Sequence, residues 1–544
     1  MRSAALIWAT MIFAGPALAA TILRNARVTV DGAKPAVPLS VVVVGEKIAF
    51  VGDPAEAERR YPKASAIDLA GSVVYPGLSD AHGHLAGLGR SLESADLKGV
   101  TSAQACARRM KDRPLPGDSW VEGDGWDQNL WTPKAFPDAS TLDAAFPDRP
   151  AFAVRIDGHA VWVNTAALRA AGVTRATPDP PGGKILRRAD GSPSGVFVDN
   201  AMDVVFRAMP APTDEALRRA FRVALESCAS VGLTAVGDAS GYGEREIGVL
   251  RAMGASGELP IRVYATVGAG APGWEAMLDR GRIESGMLTV RAVKVYADGA
   301  LGSRGAELLA DYSDDPGNRG LAVTPAARMA AIAERCFRAG FQLWIHAIGD
   351  RGNRDALDAI ASAERAVPSP DPRPRIEHAQ VVAIEDRKRF RSLGVIASIQ
   401  PSFTTSDMPW AEARLSAGRV GESYAWHSLQ KAGARLAGGS DFPVESNDPR
   451  RGIYAAVTRQ DARGNPPGGW RPEEDLSRGD AVSLYTGGAA YAMFQETRRG
   501  AVAAGMDADL TVFDRNLAEC PPGEIPGARI VMTMAAGKIV FRGR

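Results

Sequence analysis

The sequence predicts an α/β fold: a (β/α)8 TIM-type barrel with a small discontinuous β-sandwich domain and a large insertion after the first barrel strand. Three observations favour it. Short apolar runs alternate with amphipathic, Ala-rich stretches through the middle of the chain, the two chain ends share a β-type texture, and a long segment separates the first run from the second. Strands that alternate with helices are typical of parallel βαβ units, and eight such units form a barrel.

Eight apolar runs of β type supply the predicted barrel strands. They cover residues 73–79, 233–238, 261–265, 290–297, 342–346, 375–378, 395–400 and 434–438. Helices are predicted between most of them, and examples are residues 213–230, 325–339 and 383–393. With its connections, the predicted barrel domain extends over residues 76–498.

The predicted second domain is made from both ends of the chain. Short runs rich in Val, Ile and turn residues follow residue 20, and runs of the same composition occur at residues 508–514 and 528–543. Because both ends have this texture, we expect one discontinuous β-sandwich domain, built from residues 21–75 and 499–544.

The predicted insertion covers residues 95–205, between the first and second barrel strands. It contains loop-like sequences rich in Trp, Gly and Pro, such as "EGDGWDQNLWTPKAFPD" and "RIDGHAVWVN". A segment this long on the top face of a barrel is typical of a lid or a substrate-binding subdomain.

Composition and charge argue against two classes of partner. The chain has 544 residues, 45% of them hydrophobic, and its 64 Lys and Arg against 63 Asp and Glu leave a net charge of +1. It contains no basic run, so the sequence favours neither a nucleic acid nor an anionic membrane as partner. We expect a small-molecule substrate, and the sequence leaves a homodimer open.

The first 20 residues have the pattern of a secretory signal peptide. "MRSAALIWATMIFAGPALAA" combines an early Arg, an apolar core and a small-residue end. We expect residues 1–20 to be cleaved, leaving an exported, periplasmic enzyme without stable membrane insertion; the alternative is an uncleaved anchor. The chain has four cysteines, Cys106, Cys228, Cys336 and Cys520. They could form a disulfide in an oxidising compartment, but the sequence favours buried free thiols.

The candidate functional residues share one position, the carboxyl end of a predicted barrel strand. Active sites of such barrels lie at that end. Four of the six histidines are found there, so we expect their side chains to converge although they are far apart in sequence. The residues are His82 and His84 after the first strand, Lys294 and Asp298 at the fourth, His346 at the fifth, His378 at the sixth and Asp441 at the eighth.

The stretch "DAHGH" places two of these histidines one residue apart. On an extended segment, residues i and i+2 point to the same side. His82 and His84 can therefore offer ring nitrogens to one metal ion, while Gly83 faces away and takes little space. Imidazole suits Zn²⁺ and similar ions.

Lys294 is predicted to point into the barrel. On its strand it alternates with Val293 and Val295, which face the helices. Burial disfavours the charged amine and lowers the pKa of the lysine. A neutral amine can take up CO₂ to give a carbamate, an anionic ligand able to bridge two metal ions. The alternative is a salt bridge to Asp298 or another inward acid.

Together these motifs resemble the amidohydrolase superfamily of metal-dependent hydrolases. The texts "KVYADGALGSRGA", "HAIGDRGN", "IEHAQ", "GSDFPVE" and "GMDADLTVFD" are similar to its YtcJ-like, amidohydrolase-3 branch, which includes enzymes of the N-substituted formamide deformylase type. The resemblance implies a divalent metal cofactor, zinc in the first place, as one or two ions. It implies as metal ligands His82, His84, Lys294, His346, His378 and Asp441, with Lys294 at the position of the carboxylated lysine.

The resemblance also implies a mechanism. A metal-bound hydroxide attacks the substrate carbonyl, and Asp441 is the general base that passes the proton to the leaving amine. His159, in an Asp-Gly-His stretch similar to one in the branch, would hydrogen-bond the substrate carbonyl or the oxyanion. The alternative for His159 is a structural role in a turn.

Four further residues are candidates for substrate contact. Trp126, like Trp131, either lines the pocket or pins the insertion. Asp298, Arg304 and Gln400 lie near strand ends and are predicted to touch the substrate.

The sequence leaves three functions to compare. The first is hydrolysis of carbon–nitrogen bonds other than peptide bonds, in N-acyl or N-formyl amines. The second is hydrolysis of esters, lactones or carbamates by the same attack. The third is a binding or scaffold protein without turnover, which would require a broken ligand set. Every expected ligand position is filled, which favours an enzyme.

Overall fold

The structure is a computed structural model that describes residues 19–112, 120–210 and 212–543. The predicted signal peptide lies outside these residues except for its last two positions. Within the described ranges, no helix combines the length and the apolar character needed to cross a membrane. The strands form three sheets: one from the two chain ends, one in the insertion and one in the barrel.

The described residues form 23 strands: β1 (Ala20–Val28), β2 (Val37–Val44), β3 (Lys47–Gly52), β4 (Ser65–Asp68), β5 (Val73–Pro76), β6 (Leu78–Gly83), β7 (Ala95–Asp96), β8 (Val121–Trp126), β9 (Ala151–Arg155), β10 (Ala160–Val163), β11 (Gly183–Arg187), β12 (Pro193–Asp199), β13 (Leu233–Tyr242), β14 (Arg262–Gly268), β15 (Ile283–Ser285), β16 (Leu288–Tyr296), β17 (Gln342–Ala347), β18 (Arg375–His378), β19 (Ile396–Ile399), β20 (Arg435–Gly438), β21 (Leu510–Phe513), β22 (Ile530–Ala535) and β23 (Lys538–Arg542).

The α-helices of the same residues are α1 (Pro54–Arg60), α2 (Leu85–Glu93), α3 (Ala103–Asp112), α4 (Ala139–Ala145), α5 (Thr165–Ala170), α6 (Met202–Phe206), α7 (Asp214–Ser230), α8 (Glu244–Ala255), α9 (Trp274–Asp279), α10 (Ala326–Ala339), α11 (Asp350–Ala366), α12 (Arg387–Ser392), α13 (Phe403–Asp407), α14 (Ala411–Arg419), α15 (Trp426–Lys431), α16 (Pro449–Thr458), α17 (Arg478–Leu484) and α18 (Gly487–Ala492).

The eight predicted parallel strands form a nearly closed barrel. The strands neighbour one another in the order β6, β13, β14, β16, β17, β18, β19 and β20. Residues that follow β20 complete the ring against β6. The backbone N–H of Asp441 donates to the carbonyl of His82 at 2.7 Å, and Oγ of Ser440 donates to Asp80 at 2.7 Å. The carboxyl ends of the eight strands therefore meet at one mouth.

The first predicted barrel strand needs correction, because residues 73–79 are not one strand. β5 ends at Pro76 and pairs with β1 and β21 in the sheet of the chain ends, whereas β6 begins at Leu78 in the barrel. Gly77 joins them. A Cβ there would lie 2.3 Å from Oγ1 of Thr234, so the chain passes this point only without a side chain. The apolar pattern hides the break because both strands are buried.

Strands from the two chain ends form one eight-stranded sheet. Its order is β23, β22, β21, β5, β1, β2 and β3, with β4 beside β1. Within this sheet the two ends are joined by the antiparallel pairing of β5 with β21, which places Val73 opposite Phe513 and Pro76 opposite Leu510. Two packed layers, as in a sandwich, remain a prediction for this region.

A buried ion cluster joins this sheet to the starts of the barrel strands. Asp509 accepts hydrogen bonds from Nε of Arg262 at 2.8 Å and from Nε of Arg499 at 2.5 Å. Arg499 also donates to Oγ of Ser79 and to Oγ1 of Thr234. Burial alone would raise the pKa of Asp509, but the two guanidinium groups lower it below its ordinary value. The "DAD" segment of the sequence thus anchors the two sheets to each other.

The segment between β6 and β13 carries its own six-stranded sheet, in the order β11, β12, β10, β9, β8 and β7. Three tryptophans pack together in one of its buried clusters, among aliphatic side chains. Trp126 packs against Trp131 and Trp162, with ring centroids 5.8 and 6.3 Å apart. The segment is therefore a folded unit with its own hydrophobic core rather than an extended loop.

The predicted helices are confirmed at α7 and α10. The third, predicted over residues 383–393, divides into a 3₁₀ turn (Ile384–Asp386) and the short helix α12. The four cysteines all lie in the described residues and form no disulfide.

Candidate metal centre

His82 and His84 lie where the first barrel strand ends. His82 is fully buried inside β6, and His84 is the residue that precedes α2, without a capping hydrogen bond from its side chain. The intervening Gly83 faces the ring of Phe442, and a Cβ on it would lie 2.4 Å from that ring. A side chain at position 83 would therefore collide with Phe442, which explains why a residue as small as glycine stands between the two histidines.

Asp441 faces both histidines from the end of β20. Its Oδ1 lies 2.9 Å from Nε2 of His84 and 3.3 Å from Nε2 of His82. Burial would raise the pKa of Asp441, but the two imidazoles hold it well below its ordinary value. Asp441 has a φ of 60°, in the left-handed region that is strained for a residue with a side chain. Such strain is concentrated at functional sites.

His346 and His378 lie beside His82, at the same end of the barrel. The ring centroid of His378 lies 5.0 Å from that of His82 and 4.6 Å from that of His346. Burial lowers the pKa of His378 to about 3 and that of His346 well below its ordinary value. Both rings are therefore neutral at neutral pH, which is the form that binds metal ions.

Lys294 points into the barrel, as its strand pattern predicts. Val293 and Val295 pack in the core between strands and helices, whereas Nζ of Lys294 is buried without a hydrogen-bond partner. Burial lowers the pKa of Lys294 to about 8. The alternative of a salt bridge to Asp298 is not observed, because the carboxylate of Asp298 accepts backbone N–H groups of the neighbouring loops instead.

These atoms fit a divalent cation. Nε2 of His82, Oδ1 of Asp441 and Nζ of Lys294 are all buried; the first two lie close together, but none of the three atoms makes a hydrogen bond of good geometry. Ligand atoms of His82, His84 and Asp441 lie within 4.8 Å of one another. Buried polar groups left without partners are costly in a folded protein. Two imidazole nitrogens and a carboxylate oxygen at this spacing are a donor set that Zn²⁺ accepts.

The Nδ1 atoms of the histidines are held by residues behind them. Nδ1 of His82 donates to Glu377, which also accepts two hydrogen bonds from Arg375 at 2.7 and 2.8 Å. Nδ1 of His84 lies 3.3 Å from Oγ of Ser240. A histidine held at one nitrogen presents the other in a fixed orientation, which is typical of metal sites.

Glu377 was missed in the sequence, although a pattern there points to it. Arg375 and Glu377 alternate with Ile376 on β18, so two charged residues share the face opposite to the apolar one. Burial would raise the pKa of Glu377, but Arg375 and His82 lower it far below its ordinary value. It is therefore an ionised carboxylate behind a candidate ligand.

Gln400 and Arg304 line neither of the two cavities described below, and their predicted contact with the substrate stays a prediction. Gln400 is fully buried, and its Oε1 lies 2.8 Å from Nδ1 of His378, so it holds that ring. The guanidinium of Arg304 pairs with Asp314 at 2.9 Å. Long polar side chains near strand ends bind the nearest carboxylate or ring nitrogen, and sequence position alone does not reveal that partner.

Trp126 also lies away from the predicted pocket. It is fully buried in the core of the insertion, where its Nε1 donates to the carbonyl of Ala153 at 2.8 Å. This position agrees with the alternative in which Trp126 pins the insertion, and Trp126 lines neither of the two cavities described next. Asp298 does line the cavity described next, although its carboxylate is engaged with backbone N–H groups.

Two cavities meet at the candidate metal centre. The larger, about 520 Å³, lies between the barrel mouth and the insertion, and the smaller is about 90 Å³. Both are lined by His159, His346, His378 and Asp441. A substrate bound across this junction would place one part in each cavity.

His159 reaches the junction from the turn between β9 and β10. Its ring centroid lies 5.1 Å from that of His346. Its Nδ1 is 2.6 Å from Oδ1 of Asp199, a residue that the sequence did not single out. Burial would lower the pKa of His159, but Asp199 raises it to about 9.

Comparisons with known proteins agree with this chemistry. The sequence profile of the amidohydrolase family matches residues 65–541. YtcJ of Bacillus subtilis, itself assigned to the amidohydrolases, is 34% identical over 487 residues, which are 88% of this chain and 91% of that protein. The N-substituted formamide deformylase of Arthrobacter pascens is 27% identical over 547 residues, 96% of this chain and 98% of the enzyme.

Solved structures show the same relationship. An uncharacterized metal-dependent hydrolase from Pyrococcus horikoshii superposes with a TM-score of 0.76 at 28% identity, covering 93% of this chain and 99% of that one. One from Pyrococcus furiosus has a TM-score of 0.73 at 28% identity, covering 92% and 100%. The chain therefore belongs to the amidohydrolase family of metal-dependent hydrolases.

Proposed function

We propose that this enzyme hydrolyses a carbon–nitrogen bond other than a peptide bond, in a small N-formyl or other N-acyl amine. The observation that carries the proposal is the set of buried, unpartnered donor atoms of His82, Asp441 and Lys294 beside a cavity of about 520 Å³. The similarity to a formamide deformylase over 96% of this chain supports the N-acyl class.

We propose zinc as the cofactor, in one or two ions. His82, His84 and Asp441 would hold a cation, and His346, His378 and Lys294 would complete the centre, with Lys294 carboxylated. When bound, a divalent cation supplies Lewis acidity for the substrate carbonyl and lowers the pKa of a coordinated water. His346 and His378, whose pKa values are lowered by burial, are neutral and bind a cation without losing a proton.

Asp441 moves the proton in this proposal. Its pKa is well below its ordinary value, so the carboxylate is ionised at neutral pH. It accepts a proton from the attacking water as the oxygen–carbon bond forms. The same proton then passes to the departing nitrogen as the carbon–nitrogen bond breaks, and the amine leaves neutral.

His159 binds the carbonyl oxygen in this proposal. Nδ1 of its ring is engaged by Asp199, so Nε2 is the nitrogen left for a substrate at the junction of the cavities. A hydrogen bond that strengthens as negative charge develops on that oxygen lowers the barrier. The insertion, which supplies His159 and one wall of the larger cavity, would act as lid and substrate-binding subdomain.

The N-terminal sequence supports a further part of the proposal, that the enzyme is exported to a periplasm. Its early Arg, apolar core and small-residue end are the support. Sequencing the amino terminus of protein recovered from the periplasmic fraction would test this, and a mature chain that still begins at Met1 would contradict it.

The experiment that tests the activity is amine release from N-formyl, N-acetyl and longer N-acyl compounds, with matched esters. Each is assayed before chelation, after chelation and after zinc is restored. Zinc-restored release from amides is the expected result and names the acyl class. Turnover of esters alone would replace the proposal with ester, lactone or carbamate hydrolysis, and no turnover by the zinc-loaded protein would contradict both.

A matched pair of variants links the activity to the site. His84→Asn removes a candidate ligand, whereas His427→Asn makes the same change in α15, outside the site. We expect the first variant to lose bound zinc and turnover together and the second to retain both.

A further inference from the structure

The insertion brings a carboxylate and a histidine to the barrel mouth as a pair. His159 lies in the turn before β10, and Asp199 is the last residue of β12, the antiparallel neighbour of β10. The backbone N–H of Asp199 donates to the carbonyl of His159 at 3.0 Å. The side chains are 2.6 Å apart, between Nδ1 and Oδ1. Backbone and side chain therefore fix one residue against the other.

Asp199 occupies its place at a conformational cost. Its φ is 50°, in the left-handed region, and its side chain is only 2% exposed. Its second oxygen, Oδ2, is buried without a hydrogen-bond partner. A turn could be made at this position by Gly or Asn without burying a carboxylate, and such strain is concentrated at functional sites.

The barrel leaves room for this carboxylate. The loop after β16 passes it with two glycines, Gly299 and Gly305. A Cβ on Gly299 would lie 2.7 Å from Oδ2 of Asp199, and a Cβ on Gly305 would lie 2.5 Å from the same atom. The glycine spacing of "DGALGSRG" thus fits a carboxylate that comes from a different folded unit.

We propose that Asp199 is a positioning residue for His159: it holds Nδ1 of the ring, so that Nε2 is directed to the carbonyl oxygen of a substrate at the junction of the two cavities. The inference rests on the proposed function, in which His159 binds that oxygen. Asp199 itself touches neither the scissile bond nor a candidate metal ligand in this scheme.

A double-mutant cycle tests the proposal. The variants are Asp199→Asn, His159→Gln and the double variant, with Asp190→Asn as a control in the exposed turn before β12. They are assayed on whichever carbonyl substrate the wild-type enzyme hydrolyses. We expect Asp199→Asn to lower kcat about 10-fold or more with KM changed less than about 3-fold, because the lost interaction strengthens in the transition state.

The decisive comparison is the effect of Asp199→Asn when His159 is already absent. We expect it to change kcat less than about 2-fold in the His159→Gln background, because a residue that acts through another has no effect without it. Equal losses of kcat in both backgrounds, accompanied by equal falls in Tm, would show a structural role and overturn the proposal.

A spectroscopic measurement keeps the inference separate from the proposed function. The chain has six histidines, so ¹⁵N-histidine labelling gives a short set of ring signals. The signals of His159 are identified by their absence in His159→Gln. We expect the His159 ring to carry a proton on Nδ1 in the wild type and in Asp190→Asn and to lose it in Asp199→Asn, whereas the rings of His82 and His378, held at Nδ1 by Glu377 and Gln400, keep theirs in each of these variants. A His159 ring whose nitrogen shifts ignore Asp199→Asn would overturn the pairing. Absence of turnover in the zinc-loaded wild type would instead contradict the proposed function, and the ring signals would then decide the pairing alone.

Discussion

Nδ1 of His82 donates to the carboxylate of Glu377, and this leaves Nε2 of the same ring facing Asp441. The contact connects β6 to β18 across the barrel, and Arg375 holds Glu377 from the other side. The orientation of a candidate metal ligand is thus set by a residue that does not itself face the site.

Glu377→Gln should weaken zinc binding about 10- to 100-fold, because residues that orient a ligand and raise its basicity contribute that much to metal affinity. The measurement is a competition titration against a chelator of known affinity. Glu364→Gln, the same change on α11, is the control and should leave the affinity unchanged. Unchanged zinc affinity in folded Glu377→Gln would show that His82 does not depend on this contact.

Lys294→Met should stabilise the metal-free protein at pH 7 while abolishing turnover. An apolar side chain of similar length replaces a buried amine without a partner. The pKa of Lys294 is about 8 in the folded protein against 10.5 for the free side chain, so between these values the unfolded chain binds more protons and wild-type stability rises with pH. The advantage of the variant, about 3 kcal/mol at pH 7, should shrink toward pH 10.

The measurement for Lys294 is denaturant unfolding of chelator-treated protein from pH 7 to pH 10. Lys388→Met, on the exposed side of α12, is the control. A difference between Lys294→Met and wild type that does not vary with pH would contradict the assignment of a depressed pKa to this amine.

Asp441→Asn should affect amides more than esters. An amine leaves poorly without a proton, whereas an alkoxide or phenolate leaves more easily, so the loss of a proton carrier matters most for the amide. We expect kcat to fall about 10³-fold or more for the amide and distinctly less for a matched activated ester. Because Asp441 is also a candidate ligand, both rates are measured with the zinc content determined. Equal losses on the two substrates would place its role in metal binding alone.

Asp509→Asn should lower the free energy of unfolding by about 3–5 kcal/mol, because it leaves Arg499 buried without its ion-pair partner and leaves Arg262 with Asp507 alone. The pKa of Asp509 is lowered in the folded state, so its contribution is complete above the ordinary value of 3.8 and is lost as the pH falls below it. Urea unfolding at pH 7 and at pH 4 to 3 measures both effects.

Asp514→Asn is the matched control for Asp509. Asp514 pairs with Arg529, whose side chain is 72% exposed, so this pair is worth about 1 kcal/mol or less. Similar losses for the two variants would mean that burial of the Asp509 cluster does not determine its contribution.

The barrel could be predicted because each strand is a short, continuous apolar run and because candidate metal ligands follow several of these runs. His82, His84 and Asp441 were found in this way. The alternation of charged and apolar residues on β18 indicates that Glu377 points into the barrel. It does not indicate that this carboxylate contacts a histidine of the first strand. The break at Gly77 was hidden because two buried strands of different sheets have the same apolar pattern.

The pairing of His159 with Asp199 could not be read from the sequence. The two residues are 40 positions apart, and only the antiparallel register of β10 and β12 brings them together. Trp126 shows the opposite difficulty. A tryptophan in a segment rich in Gly and Asp can line a pocket or fill a small hydrophobic core. Which of these Trp126 does depends on how Trp131 and Trp162 pack around it, and the sequence does not show that packing.

The pairing of β5 with β21 has a consequence for the order in which the molecule is made. β5 is synthesised before the first barrel strand, and its partner β21 comes after the last one. Until nearly the whole chain has left the ribosome, β5 presents an unpaired apolar edge, the kind of surface that promotes aggregation. A chain that stops short of Leu510 would keep its candidate metal ligands and still lack the partner that covers this edge.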